Sequence, residues 1–262
     1  TYFSYDPHGH VEWMIQELPE LGRNYIRYEY ETVSGKNRKV IYNEGKPDQF
    51  MHRYTYDADN RMVCTETSPD GEIWDKDASY LYHVHGPVKR VVLGEDKIQG
   101  LDYVYSVMGL LKGINHPALN KVTDPGKDAL TGSNSKVAKD VFGMILAYYK
   151  NDFHRENSPF NSHGSNSWYI AGNDLFGGQI TSWINITARA GTGLHYERAT
   201  GYTYTYDFIG RLTQAKLIDY VNNSFVPVND YLSQYGYDAN GNMLGLSRNG
   251  YAGNGLAMDN LV

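Results

Sequence analysis

One short phrase recurs along the chain and limits what it can fold into. YTYDADNRM (Tyr54 to Met62) returns as YTYDFIGRL (Tyr204 to Leu212) and as YGYDANGNM (Tyr235 to Met243). Aligned on the last aromatic before each turn, strong copies fall at Tyr5 (SYDPHGHV), Tyr56, Tyr206 and Tyr237. Weaker copies fall at Tyr82 (LYHVHGPV) and Tyr105 (VYSVMGLL), and the weakest at Tyr30 (EYETVSGK), where the glycine comes one place late. The successive intervals are 25, 26, 26, 23, 101 and 31 residues. An enzyme needs its catalytic phrase once. A phrase used many times at a near-constant period belongs to a scaffold whose units stack on one another.

The phrase has a physical reading. Asp first and Gly fourth suit a type I turn followed by a left-handed residue, the three-residue hairpin connection with a bulge. The Asp carboxylate reaches the backbone amide two residues on. Pro7 stands where its fixed φ fits, Asn60 replaces Gly where Asn is the usual substitute, and Ser106 replaces Asp with the same kind of bond.

Tyrosines alternate before each turn, at Tyr28 and Tyr30, Tyr54 and Tyr56, Tyr80 and Tyr82, Tyr103 and Tyr105, Tyr202, Tyr204 and Tyr206, and Tyr235 and Tyr237. Residues two apart share one face of a strand. The chain holds 24 tyrosines against 8 phenylalanines, and this excess has a structural reason, because Tyr suits a half-buried sheet face where its hydroxyl can reach water. An apolar residue then starts the return strand: Val11, Met62, Leu110, Leu212 and Met243. Two strands and two turns fill such a period. The expected fold is therefore all-β, a long antiparallel ribbon of stacked β-hairpins forming an open, curved sheet.

Composition narrows the function. The chain of 262 residues is 41% hydrophobic and 21% charged, the profile of a globular protein. Its net charge is −6 and no basic run occurs, which argues against nucleic acid. The longest apolar run, near Met144 to Ala147, is too short to span a bilayer. The single cysteine, Cys64, excludes an internal disulfide. Residue 1 is Thr and TYFSYD begins in mid-phrase, so the chain reads as a piece of a larger protein.

The pattern resembles the YD-repeat family, also called Rhs repeats. The residues that carry the resemblance are Tyr5-Asp6 with Gly9, Tyr56-Asp57 with Asn60-Arg61, Tyr206-Asp207 with Gly210-Arg211, and Tyr237-Asp238 with Gly241-Asn242. The linking segment, with GINHPALNKVTDPGKD and KDVFGMILAYYKNDF, looks like a stretch found inside such proteins from Bacteroides-like bacteria. The resemblance implies a ribbon that spirals into a hollow shell. In bacterial toxins of the family the shell encloses a C-terminal toxic domain, and in animal teneurins a similar shell is a recognition module. The core motif with its aspartate-dependent self-cleavage site has no counterpart in this sequence, so neither cargo nor self-cleavage is assigned to any residue.

Residues 1–114 and 201–262 form the two repeat blocks of a single 1–262 β domain on this reading. The segment 115–200 lacks the phrase and is expected to hold degenerate hairpins with a protruding loop. NHPALNKVTDPGKDALTGSNS reads as a long loop, and SKVAKDVF as a short helix capped by Ser135. FGMILAYYK reads as a buried strand, and LFGGQITSWINITARAG as a turn and a strand.

Candidate chemistry is sparse. His83 and His85 have metal-ligand spacing without an evident third ligand, and His8 and His10 flank a turn glycine. Asp124 and Asp128 in TDPGKD can be read as paired carboxylates, but the same residues make a turn. Cys64 has no mapped base and reads as a packed or surface thiol. The repeated aspartates lack calcium-loop spacing. Asn185-Ile186-Thr187 and Asn222-Asn223-Ser224 fit a glycosylation pattern that is usually silent in bacteria. No catalytic, cofactor-binding or metal residue is assigned, and no cofactor is expected.

The expected function is structural: shell wall of a secreted or surface-exposed bacterial protein, not an enzyme. Its partners would be the rest of the parent shell and its cargo, with self-association through cut sheet edges at residues 1–5 or 258–262. The rival is a cell-surface module whose tyrosine-rich sheet, or whose 115–200 loop, binds carbohydrate or protein.

Overall fold

The computed structural model describes residues 1–20, 22–130, 132–161, 175–189, 195–196, 199–221, 224–250 and 257–261. It is all-β. The one helical element among the described residues is a single 3-10 turn at Gly132–Asn134. Two compact units, Thr1–Gly100 and Leu101–Val262, divide the chain.

The first unit is a meander of eight strands: β1 (Tyr2–Tyr5), β2 (Val11–Leu18), β3 (Gly22–Tyr30), β4 (Asn37–Tyr42), β5 (Phe50–Tyr56), β6 (Met62–Ser68), β7 (Asp75–Tyr82) and β8 (Val88–Leu93). Each pairs antiparallel with the next. The second unit contains β9 (Gln99–Tyr105, which begins at the unit boundary), β10 (Leu111–Ile114), β11 (Phe142–Ala147), β12 (Ser182–Arg189), β13 (His195–Tyr196) and β14 (Thr200–Tyr206). It continues with β15 (Leu212–Val221), β16 (Ser224–Pro227), β17 (Ser233–Tyr237), β18 (Met243–Asn249) and β19 (Ala257–Leu261). Here too every pairing is antiparallel, with β12 carried directly onto β14 and β15 onto β17.

Every phrase but the weakest makes the expected turn. Gly9, Asn60, Gly86, Gly109, Gly210 and Gly241 each donate to the carbonyl three residues back, and φ is positive at all six. The register slips by one residue at each phrase tyrosine, so that Tyr5 faces Val11, Tyr56 faces Met62, Tyr206 faces Leu212 and Tyr237 faces Met243. This is the bulge that the phrase predicts. The late glycine of the weakest copy gives a longer turn, in which Gly35 donates to Glu31. One expectation is corrected: the return strand after Tyr105 starts at Leu111, because Leu110 takes the fifth position after the tyrosine, as Arg61 does after Tyr56.

The Asp of each strong copy holds its turn from inside. Oδ1 of Asp6, Asp57, Asp207 and Asp238 accepts the amides two and four residues on, at 2.8 to 3.1 Å. Oδ2 binds the side chain four residues on, which is His10, Arg61, Arg211 or Asn242. These bonds favour the charged form and hold the Asp57 and Asp238 carboxyls below the usual carboxylate range.

Neighbouring repeats are tied by two further contacts. The phrase tyrosine donates its hydroxyl to the carbonyl that opens the preceding return strand: Tyr30 to Val11, Tyr56 to Asn37, Tyr82 to Met62 and Tyr237 to Leu212, all at 2.6 to 2.9 Å. The residue held by the Asp then covers the ring of the next tyrosine. His10 stacks on Tyr30 at 4.7 Å, and the guanidinium carbons of Arg61 and Arg211 lie 4.8 Å and 4.9 Å from the ring centroids of Tyr82 and Tyr237.

Among the described residues the short β13 pairs onto β12, and the interruption is one hairpin with enlarged connections before it and within it. β11 and β12 are its strands, in register from Phe142 with Thr187 to Ala147 with Ser182. Tyr148 takes the place of a phrase tyrosine, donating to Leu111 O at 2.7 Å, and Ile180 accepts from Tyr206 at 2.8 Å. FGMILA and SWINITAR are thus strands, as expected. SKVAKDVF does not form a helix. The burial of Val137 and Asp140 draws this segment onto the fold in an irregular conformation, which the Ser135 cap does not outweigh.

Candidate functional site

The long connections cover the second unit's sheet and supply its core. Ile145 packs with Phe153, Phe160 and Val104, while Leu119 packs with Ile186 and Ala199. Gly143 allows this approach, since a Cβ there would lie 2.5 Å from the His116 carbonyl.

Buried polar side chains fasten the connections. Lys112 Nζ donates to both oxygens of Asp152, at 2.7 Å and 2.9 Å, with both side chains almost fully enclosed. Asp152 Oδ2 also accepts the Tyr148 amide. Asn115 continues the end of β10, because its Oδ1 accepts the Asp102 amide and its Nδ2 donates to Phe142 O. Asn43 does the same at the end of β4 in the first unit, where its Oδ1 accepts the Tyr25 amide. Both asparagines have a φ of 47°. His116 is buried and its Nδ1 accepts the Ala118 amide, so the neutral ring carries its proton on Nε2, facing Pro159 O at 3.3 Å. Burial pushes this imidazole down to about 4, which keeps it neutral.

Four buried carboxyl groups meet in the same unit. The ligand oxygens of Asp102, Asp124 and Asp128 lie within 4.8 Å of one another. Burial, and then the Asp124 carboxylate, push the nearby Asp140 carboxyl up to about 9, so it is protonated near neutrality and hydrogen-bonds to Asp124. The same oxygens suit a hard cation by type. With Asp140 protonated, the proton relieves part of the repulsion that a cation would otherwise relieve. Asp124 also builds the turn read from TDPGKD, where its Oδ2 accepts the Asp128 amide at 2.6 Å and its Oδ1 the Gly126 amide at 3.2 Å.

The other sequence candidates stay apart. His83 and His85 stack on each other at 5.0 Å in their turn, and the metal-type grouping found among the described residues does not include them. His8 and His10 are 6.2 Å apart, with His10 bound to Asp6. Cys64 is half-buried on β6, and burial raises its thiol, which disfavours the reactive thiolate. Asn185 lies on β12, whereas Asn222 and Asn223 lie outside the described residues. Sequence reasoning missed Asp102, Asp140 and the Lys112–Asp152 pair. The pair's partners stand 40 residues apart, and no local pattern links them.

A concave recess of about 880 Å³ opens on the first unit between the turns at 31–36 and 57–61. Arg38, Tyr54, Tyr56, Glu31 and Glu66 are among its lining residues. Arg53, also in the lining, lies 4.1 Å from the Trp74 ring centroid and 2.9 Å from Glu66. Among the described residues no helix is long and apolar enough to cross a membrane.

No family model matches the chain, and no curated protein matches it. Solved structures similar to the chain include TcdB2-TccC3 without the hypervariable C-terminal region, at 12% identity and a TM-score of 0.45, over 97% of this chain and 14% of that one. TcdB2-TccC3 gives 12% identity and a TM-score of 0.45, over 97% of this chain and 15% of that one. TcdB2-TccC3-Cdc42 gives 12% identity and a TM-score of 0.40, over 97% and 14%. The chain therefore spans at most 15% of the length of these chains.

Proposed function

We propose that the chain is a length of wall in a YD-repeat shell of a secreted or surface-exposed bacterial protein. The shell would enclose a C-terminal toxin or effector, and the chain itself would catalyse no reaction. The observation that carries this reading is the tyrosine tie. Tyr30, Tyr56, Tyr82, Tyr148, Tyr206 and Tyr237 each donate to the opening carbonyl of the preceding return strand or to its equivalent. The phrase is thus consumed in joining one hairpin to the next, which is what a continuous wall requires. The test is electron microscopy of the parent protein, with protease challenge of the segment beyond residue 262. A hollow particle that protects that segment supports the reading. An extended particle whose downstream segment is digested at once overturns it.

A wall fragment is also expected to self-associate. β1 pairs with β2 and carries Tyr2, Phe3 and Tyr5 well exposed, and an open strand edge templates pairing with another chain. Light scattering should show mass rising with concentration, and a strict monomer counts against this expectation.

The second reading is a carbohydrate-binding module. The recess that favours it is lined by Tyr54 and Tyr56 together with the charged residues Arg38, Glu31 and Glu66. A glycan array separates the two readings: a wall leaves it blank, and a module lights one sugar class that Tyr54→Ala abolishes.

A further inference from the structure

Three turns of the second unit carry exposed apolar side chains at their tips. The turn at 106–110 presents Val107, fully exposed, and Met108, 69% exposed. The turn at 175–180 presents Phe176, 72% exposed, which leans on Tyr149 at 4.8 Å. The turn at 207–211 presents Phe208 and Ile209, 96% and 57% exposed. In the equivalent turns of the first unit at least one tip residue is polar, as in Pro7-His8, Ala58-Asp59 and Val84-His85.

The sheet order puts these tips side by side. β9 enters the turn at 106–110 and β10 leaves it. β11 returns to the same end and β12 leaves, with 175–180 in the connection between them. β14 returns again and enters 207–211. The turns also touch: a Cβ at Gly178 would lie 3.8 Å from Leu110 Cδ2, and one at Gly210 would lie 3.0 Å from Gln179 Nε2. The five side chains therefore stand on neighbouring turns along one end of the second unit's sheet, as an apolar ridge.

We propose that this ridge inserts into the headgroup–acyl boundary of a lipid bilayer. Exposed apolar side chains clustered at one place mark an interaction site, and this cluster includes two phenylalanines, Phe176 and Phe208, a side chain suited to the bilayer interface. The turns are also prepared for loss of water. Gly109 and Leu110 donate to Ser106, while Ile209, Gly210 and Arg211 donate to Asp207, so these amides are satisfied inside their own turns. The three turns contain one acid and one base, Asp207 and Arg211, and these bind each other at 2.6 Å. The ridge is thus neutral on a chain of net charge −6, and zwitterionic lipid neither repels nor needs to attract it.

The test is co-sedimentation of the full chain with phosphatidylcholine vesicles. Phe176→Ser with Phe208→Ser should lower partitioning at least about tenfold, since insertion scales with buried apolar area. Val107→Ser with Met108→Ser should lower it in the same direction. Val33→Ser, at an exposed tip of the first unit, should leave it unchanged. Thermal midpoints should hold, because the replaced side chains face water. Equal partitioning by wild type and both ridge variants overturns the proposal, and so does a wild type that stays in the supernatant at millimolar lipid. Loss of self-association in the ridge variants without any lipid effect would assign the ridge to contact between copies, and overturns it too.

Discussion

The guanidinium carbon of Arg211 lies 4.9 Å from the ring centroid of Tyr237, and Asp207 holds it there through a 2.6 Å bond to Nε. Aspartate, arginine and the next tyrosine thus form one unit that spans two repeats. A double-mutant cycle of Arg211→Ala and Tyr237→Leu should give a coupling of about 0.5–1 kcal/mol. Strictly additive midpoints in urea would separate the two residues energetically and remove this link from the repeat.

Tyr82 donates to Met62 O at 2.6 Å, and Phe lacks that donor. Tyr82→Phe should cost about 1 kcal/mol, since a half-buried carbonyl loses its partner while the ring packing stays. Tyr148→Phe should cost a similar amount through Leu111 O, although no phrase surrounds it. A neutral result at Tyr148 with a loss at Tyr82 would show that the interruption is fastened by its loops alone.

Gly210 and Gly241 have φ of 88° and 89°. Valine at either position should destabilise by more than about 1 kcal/mol, because a β-branched residue resists the left-handed region. Space around Gly241 is open, whereas a Cβ at Gly210 meets Gln179 at 3.0 Å. That contact is with the end of a flexible side chain, which can move aside, so the two variants should lose similar amounts, and denaturation midpoints that did not move would contradict the bulge.

Asp140 and His116 pull the pH profile in opposite directions. The folded carboxyl of Asp140 is raised from 3.8 to about 9, so its contribution is complete below 3.8 and declines as pH rises to 9. The folded imidazole of His116 is lowered from 6.5 to about 4, so its contribution rises with pH across that window. Asp140→Asn should remove the decline between 6.5 and 9 and expose the rise between 4 and 6.5. Wild type and variant curves that run parallel from pH 4 to 9 would sink the assignment.

Lys112 and Asp152 form a buried pair in which each neutralises the other. Lys112→Met alone should cost about 3–5 kcal/mol by stranding the carboxylate. Adding Asp152→Leu should restore part of that loss, as measured by guanidinium midpoints. A double variant no more stable than the single would mean that the Asp152 bond to the Tyr148 amide matters more than the pair.

The repeat phrase by itself determined the strand order, the turn type and the bulge. Each of these depends on residues within about five positions of one another, such as Asp57, Asn60 and Arg61, whose bonds close inside one turn. Tertiary structure decided what joins the turns. The tie from Tyr237 to Leu212 and the cover of Arg211 on Tyr237 act across a repeat, so the sequence displays the residues but not their partners. The same holds more strongly between 115 and 180. The turn that carries Asp124 and Asp128 meets Asp102 from β9 and Asp140 from farther along the connection, and Asp152 finds Lys112 of β10 40 residues away. Such contacts exist because a single sheet needs a second layer to bury its apolar face, and the long connections supply that layer with their polar groups paired inside it.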